Sequence, residues 1–330
     1  MNAARKGVAG KDFRGSIVPL VTPFREGQVD GQSLRSLIEW QIASGSHGIA
    51  VTGTTGEATS LSFEERKQVI RLAVQTTAGR VPVIAGTGTN NYEETLELTQ
   101  FAEHEGADAA LLLVPYHIRP TQEGLFHYFR MVARATDLPI LIYNIPGRTA
   151  VNLEVETLFR LRRECENIIG VKEANKDFEH VNRVLLRCGR DFLLFSGVEL
   201  LCFPMLAIGG AGLISATANL VPHLVARMYN LFQQGDWSGA LDLHYHLMPL
   251  NEVLFLETNP GPVKYALSLL GKIPPEIRPP LVLPGEENRV KIRHVMAAYG
   301  LLHNADASAA EPLAPHTSPW SQAGREGGDL

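Results

Sequence analysis

The feature that most constrains the fold is a regular alternation of short apolar segments with longer amphipathic ones over residues 16–233. The short segments are rich in aliphatic and β-branched residues, which is typical of strands buried on both faces of a parallel sheet. The longer segments repeat apolar residues at helical spacing. Eight strand–helix units follow one another, and their predicted strands are residues 16–21, 47–52, 81–86, 107–114, 139–143, 168–172, 192–195 and 213–216.

Eight such units in this length predict an α/β fold, a (β/α)8 TIM barrel. A doubly wound sheet is the alternative. That fold usually carries a glycine-rich phosphate turn after its first strand, whereas here the turn reads Thr22-Pro23-Phe24. Gly86-Thr87-Gly88 lacks the third glycine of a dinucleotide-binding fingerprint. The pattern therefore favours the barrel.

The strand pattern stops after residue 233, and helical patterns continue at residues 237–255, 263–270 and 290–301. This predicts a C-terminal all-helical extension. We divide the chain into a flexible N-terminus at residues 1–12, the barrel at 13–234, the helical extension at 235–302 and a flexible tail at 303–330. The tail is rich in Ala, Ser, Pro and Gly without periodicity, which is typical of mobile segments.

The composition excludes several classes of function. The 330-residue chain has a net charge of −5, which gives no electrostatic footprint for nucleic acid or an anionic membrane. No apolar run reaches the length of a membrane span, and the polar N-terminus lacks an apolar signal core, so we expect a cytoplasmic protein. Cys165, Cys188 and Cys202 fit no metal or redox spacing.

Lys172 ends the apolar strand at residues 168–172. A lysine in this place is unusual, because removing an ammonium from water is costly. Burial favours the neutral amine, which is a nucleophile able to form a Schiff base with a carbonyl. The alternative from this stretch alone is a lysine that turns back to solvent.

In a barrel the carboxyl ends of the strands form the active-site face, and further candidates lie at or just after the other predicted strands. The candidates are Thr54, Thr55, His117, Tyr143, Arg148, Gly197 and Ile214. Taken alone, each candidate also fits an ordinary structural role, as a residue of a tight turn, a residue of the core or a charged residue on the surface. Together with Lys172 they offer a nucleophile, a phenol, hydroxyl donors and a guanidinium at one face. No cluster there has metal-ligand spacing, and we expect no cofactor, because a Schiff base can itself serve as the electron sink.

Three motifs resemble the dihydrodipicolinate synthase / N-acetylneuraminate lyase family of class I pyruvate aldolases. They are Gly53-Thr54-Thr55-Gly56-Glu57, Tyr143-Asn144-Ile145-Pro146-Gly147-Arg148-Thr149 and Gly170-Val171-Lys172-Glu173-Ala174. The resemblance covers roughly residues 13–302 and includes Asn259-Pro260-Gly261-Pro262-Val263-Lys264 in the extension. The double threonine and the Arg-Thr pair are most similar to the dihydrodipicolinate synthase branch.

The resemblance implies a role for each candidate. Lys172 would form an imine with pyruvate, and the derived enamine would add to aspartate semialdehyde on the route to lysine. Tyr143 would move protons with Thr54 as a relay. Thr55 would hold the pyruvate carboxylate and Arg148 that of the second substrate, and Gly197 and Ile214 would also line the substrate site. Members of the family are usually homotetramers, built as a dimer of dimers.

Two positions depart from the family pattern and leave alternatives open. The family usually has two adjacent tyrosines after strand four, of which the second reaches across a dimer interface, and here the pair is Tyr116-His117. The loop after strand seven often reads Gly-Asp and here reads Gly197-Val198. His117 is therefore a candidate proton relay. The alternatives are an aldolase or dehydratase for another 2-oxo acid, such as a 2-keto-3-deoxy sugar acid, and a catalytically silent ligand-binding protein.

Overall fold

Eight parallel strands close into a barrel in the computed structural model, which describes residues 12–302. They are β1 (Gly15–Pro19), β2 (Gly48–Val51), β3 (Val83–Gly86), β4 (Ala109–Leu113), β5 (Ile140–Asn144), β6 (Ile168–Glu173), β7 (Leu193–Ser196) and β8 (Gly212–Ile214). Each strand pairs with its neighbours in sequence, and β1 closes the barrel by pairing with both β2 and β8. The predicted (β/α)8 TIM barrel is confirmed.

Twelve helices accompany the strands in the described part of the chain. They are α1 (Gly31–Ala43), α2 (Phe63–Thr77), α3 (Tyr92–Glu105), α4 (Gln122–Arg134), α5 (Pro146–Thr149), α6 (Val155–Glu164), α7 (Phe178–Cys188), α8 (Cys202–Ala207), α9 (Pro222–Gln233), α10 (Trp237–Val253), α11 (Gly261–Leu269) and α12 (Glu286–Ala298). The last three form the helical extension that the sequence predicts. The predicted tail at 303–330 and residues 1–11 lie outside the described residues.

The local features that differ from the sequence prediction include a short hairpin and the start of α12. A short hairpin pairs Phe24–Arg25 with Gln28–Val29, and its two turn residues, Glu26 and Gly27, both have positive φ. Strands of two residues carry no readable alternation, so the pattern could not predict them. Helix α12 begins four residues before the predicted position 290, since Glu286 and Glu287 in its first turn suit the helix dipole.

The barrel separates two apolar clusters. The inner cluster fills the barrel with side chains such as Ile17, Leu141, Tyr143 and Ile214. The larger, outer cluster lies between the strands and the surrounding helices. Tyr143 is thus the polar member of the inner cluster, and it stands at the carboxyl end of β5. None of the helices in residues 12–302 combines the length and the apolar composition of a membrane span.

Candidate active site

Lys172 and Tyr143 face each other at the carboxyl ends of two adjacent strands. They are register partners in the parallel pairing of β5 with β6. The Lys172 Nζ lies 4.1 Å from the centroid of the Tyr143 ring, and the two side chains are 6% and 5% exposed. No carboxylate lies within ion-pair distance of Lys172 in the described residues. The ring face is a weak partner for an ammonium compared with a carboxylate, so this setting suits an amine that has to act as a nucleophile.

The outer face of the same strands carries a polar pair. Neighbouring residues of a strand point to opposite faces, so Asn144 and Glu173 face away from the barrel interior. Asn144 Nδ2 donates to Glu173 Oε1 at 3.0 Å and Oε2 at 3.1 Å, and both side chains are fully buried. The backbone N–H of Asn175 donates to the same carboxylate at 2.9 Å. This pair ties β5 to β6 one residue beyond Tyr143 and Lys172. Sequence reasoning gave it no role.

Gly197, at the end of β7, lies directly against Lys172. Its N–H donates to the Glu173 carbonyl at 2.8 Å. A Cβ at this position would stand 3.0 Å from Lys172 Cε and 3.2 Å from Ala174 Cβ. Glycine therefore leaves the space in which the lysine side chain extends.

The loop after β2 brings two threonines to the site in different ways. Thr54 lines a cavity at the barrel mouth, together with Tyr143. Thr55 is buried beside it, and its Oγ1 accepts a hydrogen bond of 2.9 Å from Asn259 Nδ2 in the helical extension. Because the Thr55 oxygen is the acceptor, its own O–H proton remains available for another partner.

A second buried lysine, Lys264, anchors the loop after β2. Lys264 and Glu57 are both fully buried and form an ion pair. Burial lowers the pKa of Lys264, and the Glu57 carboxylate opposes that shift. The Lys264 Nζ also lies 4.1 Å from the centroid of the Phe24 ring. The extension thus holds the threonine loop through Asn259 and Lys264, two residues of the motif at 259–264 for which the sequence analysis predicted no contact.

Arg148 projects from the short helix α5, which Pro146 begins. It is exposed yet lines the same cavity as Tyr143 and Thr54. No carboxylate in residues 12–302 lies within ion-pair distance of it. A guanidinium with all of its donors available at a cavity wall suits a carboxylate ligand.

His117 lies outside this group in the single chain. It has a left-handed backbone with φ of 73°, its side chain is exposed, and it does not line the cavity. Its neighbour Tyr116 does line the cavity. Ile214 lies in the barrel interior at 1% exposure and does not reach the cavity wall.

The cavity has a volume of about 280 Å³. Its walls come from the loops after the strands, from the start of α2 and from the extension at Asn259, Pro280 and Leu281.

Arg66 of α2 also lines the cavity. Arg66 Nη2 donates to the Gly86 carbonyl at 2.9 Å, and its Nε has no hydrogen-bond partner in the described residues. Burial lowers the pKa of Arg66 to about 10, so the side chain stays charged at neutral pH.

Glu199, two residues beyond Gly197, is a buried acid that sequence reasoning did not single out. Its Oε1 accepts a hydrogen bond of 2.8 Å from the Ala216 N–H, which joins the ends of β7 and β8. Burial raises the pKa of Glu199, and the hydrogen bond and the Lys172 charge oppose the shift.

Within residues 12–302, no group of side chains could hold a metal ion.

The sequence profile of the dihydrodipicolinate synthetase family matches residues 12–299. The chain belongs to this family. A 4-hydroxy-tetrahydrodipicolinate synthase from Syntrophobacter fumaroxidans is 48% identical over 291 residues, which cover 88% of this chain and 100% of the relative. A synthase of the same name from Thermus thermophilus is 49% identical over 291 residues, covering 88% of this chain and 97% of the relative.

A solved structure is also similar to this chain. The crystal structure of dihydrodipicolinate synthase from Aquifex aeolicus is 46% identical and matches with a TM-score of 0.87, covering 88% of this chain and 99% of that one. The family membership that the three motifs indicated is therefore confirmed, and so is the pyruvate-dependent Schiff-base class of enzyme. The individual roles of the site residues stay predictions.

Proposed function

We propose that this protein is a 4-hydroxy-tetrahydrodipicolinate synthase that condenses pyruvate with aspartate semialdehyde. The observation that carries the proposal is the placement of Lys172 Nζ on the face of Tyr143, beside a cavity that Thr54 and Arg148 line. The synthase relatives that the chain matches over nearly their whole length support the choice of substrates.

Imine formation begins the proposed reaction. The neutral Lys172 amine attacks the ketone carbon of pyruvate and gives a carbinolamine. Loss of water then forms the imine, and the departing oxygen needs a proton. The Tyr143 hydroxyl, next to the lysine, supplies it, and Thr54 at the same wall relays a replacement. Loss of a proton from the pyruvate methyl group converts the imine into the nucleophilic enamine.

Carbon–carbon bond formation follows. The enamine carbon attacks the aldehyde carbon of aspartate semialdehyde, and the new alkoxide takes a proton. The amine of the second substrate then attacks the imine carbon and closes the ring. This expels Lys172 as a free amine, so the enzyme returns to its starting state with no cofactor consumed.

The carboxylates of the two substrates have separate partners in this proposal. The O–H of Thr55 and the nearby backbone hold the pyruvate carboxylate. Thr55 can act as the donor because its oxygen accepts the hydrogen bond from Asn259, which leaves its own proton available. Arg148 binds the carboxylate of the semialdehyde. Gly197 and Ile214 complete the part of the site that binds pyruvate. Gly197 leaves room for the lysine side chain, and Ile214 closes the barrel interior beneath the site.

His117 has no access to the cavity of its own chain, so we propose that it serves the cavity of a neighbouring subunit. Its exposed side chain, on a residue with a positive φ, supports this role. We propose in addition that the protein forms a homotetramer, a dimer of dimers, and that this contact lies across its dimer interface. We also place the enzyme in the cytoplasm, in keeping with three cysteines that are free and buried.

Product analysis tests the proposal. The purified protein is incubated with pyruvate and aspartate semialdehyde, and the cyclic product is identified by mass spectrometry. Borohydride with pyruvate alone should label Lys172. The lysine could be labelled while the protein turns over a 2-keto-3-deoxy sugar acid and not the semialdehyde. That result would favour the alternative left open by Gly197-Val198, an aldolase or dehydratase for another 2-oxo acid. The absence of any label would instead indicate a silent ligand-binding member.

A further inference from the structure

Arg148 depends on its loop to hold it at the cavity wall. Its side chain is exposed, and no carboxylate in residues 12–302 lies within ion-pair distance of it. A long exposed side chain samples many rotamers, and ordering it on binding lowers the affinity for a ligand. A mobile loop would lower that affinity further. The contacts that fix the loop therefore bear on how well Arg148 binds the carboxylate assigned to it above.

The loop, residues 145–152, is closed by the side chain of Asn144, the residue that precedes it. Asn144 is fully buried at the end of β5. Its Nδ2 donates to Asn152 Oδ1 at 2.8 Å, and its Oδ1 accepts a hydrogen bond of 3.0 Å from the Leu153 N–H. One side chain at the end of a strand thus binds the far end of the loop through both of its polar atoms. Helix α5 within the loop is a single turn, which is too short to be stable by itself, so it needs this closure.

Asn152 Oδ1 also fastens the loop to the strand that carries Lys172. It accepts a second hydrogen bond, of 3.1 Å, from Asn175 Nδ2. Asn175 follows the carboxyl end of that strand, and its N–H donates to the same Glu173 carboxylate to which Asn144 donates. The Asn152 oxygen is therefore the atom at which the loop meets the ends of both β5 and β6.

We propose that Asn152 is a positioning residue for the second substrate. Its side-chain oxygen fastens the loop so that the Arg148 guanidinium stands at the wall of the cavity that Tyr143 also lines. Asn152 is half-buried and does not line the cavity, so its effect passes through Arg148. The identity of the ligand rests on the proposed function, whereas the fastening of the loop is a property of the fold and is tested separately.

The kinetics of Asn152→Ala test this role. The variant removes the acceptor of both hydrogen bonds, and we expect KM for aspartate semialdehyde to rise by about tenfold or more, since a misplacement of about 1 Å can cost about 10²-fold. Borohydride labelling of Lys172 by pyruvate should proceed at the rate of wild type. In the background of Arg148→Ala the same change should have little further effect, because Asn152 acts through that guanidinium. A full additional loss in the double variant would overturn the proposal.

Asn167→Ala is the matched control. Asn167 is also half-buried, and its Nδ2 donates to the carbonyls of Ala133 and Thr136 at 2.9 and 3.0 Å. It precedes β6 and so lies at the opposite end of the barrel. Its loss should leave KM for the semialdehyde unaltered, even if it lowers Tm as much as Asn152→Ala does. An equal rise in KM in both variants would indicate a general loosening of the fold and overturn the proposal.

Asn175→Ala is a milder variant that serves if Asn152→Ala does not fold. It removes one of the two hydrogen bonds to Asn152 Oδ1 and leaves the bond from Asn144 in place. KM for the semialdehyde should rise in the same direction by a smaller factor. An unchanged KM in this variant would count against the proposal in the same way.

Limited digestion with trypsin tests the loop without any substrate. Trypsin cuts after arginine, and cleavage within a folded loop requires local unfolding. The bond after Arg148 should be cut severalfold faster in Asn152→Ala than in wild type or Asn167→Ala, as mapped by mass spectrometry. Equal cleavage there in all three proteins would overturn the proposal. Faster cleavage combined with normal use of the semialdehyde by Arg148→Ala would support the fastening of the loop and contradict the proposed function instead, so the two failures are distinguishable.

Discussion

Asn144 and Glu173 form a fully buried hydrogen-bonded pair on the outer face of the barrel, one residue beyond Tyr143 and Lys172 on the inner face. The outer pair adds side-chain hydrogen bonds to the backbone register that aligns β5 with β6. The height of the phenol ring relative to the amine follows from that register. Two residues that do not line the cavity thus stabilise the strand register that brings Tyr143 next to Lys172.

The first prediction separates the two buried lysines. Lys172→Met should abolish reductive labelling by pyruvate and all turnover, because no other amine replaces the nucleophile. The double variant Glu57→Gln/Lys264→Met removes both charges of the other buried pair together and avoids leaving one uncompensated. It should still be labelled at Lys172, although less active. Peptide mapping by mass spectrometry checks both. A label found on Lys264 would contradict the assignment.

The second prediction concerns the space beside Lys172. Gly197→Ala places a Cβ 3.0 Å from Lys172 Cε, so the lysine has to shift. We expect kcat to fall on the order of 10²-fold, the cost of a misplacement of about 1 Å. Gly147→Ala is the control, since a Cβ there meets no atom within 4 Å. Steady-state rates with both substrates measure the effect. Equal activity of the two variants would mean that the site tolerates the methyl group.

The third prediction concerns Arg148. If it binds the carboxylate of the second substrate, Arg148→Ala should impair use of the semialdehyde far more than imine formation with pyruvate. Removal of a buried charged partner costs about 2–5 kcal/mol, and the exposed position of Arg148 should bring the loss to the lower end. Single-turnover labelling and steady-state kcat/KM measure the two half-reactions. Equal damage to both would argue for a structural arginine.

The fourth prediction tests His117. A neutral imidazole both donates and accepts a proton, as a phenol does. If His117 is the relay, His117→Phe should slow turnover by roughly 10²–10⁴, measured as steady-state kcat with both substrates. His127→Phe, a change at a half-exposed histidine on α4, is the control. A silent His117→Phe would leave the proton transfer to Tyr116 or water.

The fifth prediction concerns stability at low pH. The Arg278 guanidinium holds the pKa of Glu65 at about 2, below its ordinary value of 4.5. A carboxyl with a depressed pKa in the folded state contributes stability above the unfolded pKa and loses it as the pH falls through the folded one. Glu65→Gln should therefore lower Tm at pH 7, and the difference from wild type should shrink between about pH 4.5 and 2. Glu39→Gln, at a more exposed pair with Arg80, should change Tm little.

The fold and part of the site could be predicted because their signals are local. Strand and helix periods repeat within a few residues, and the end of each predicted strand gave Lys172 and Tyr143 directly. The contacts of Asn259 with Thr55 and of Lys264 with Glu57 join residues 204 and 207 positions apart. No short-range pattern encodes such a pair. The exposed position of His117 outside the cavity, on a residue with a positive φ, is not encoded in a sequence pattern.

The hydrogen bonds from the extension to the threonine loop also set an order of events during synthesis. The barrel strands are complete once residue 214 has left the ribosome, but Asn259, Lys264 and the Arg278 N–H that binds Glu57 follow much later. Until then the Thr54-Thr55 loop lacks its anchors on that side. During synthesis the barrel strands are therefore present before the threonine loop has these anchors, and protein truncated before residue 259 should be inactive.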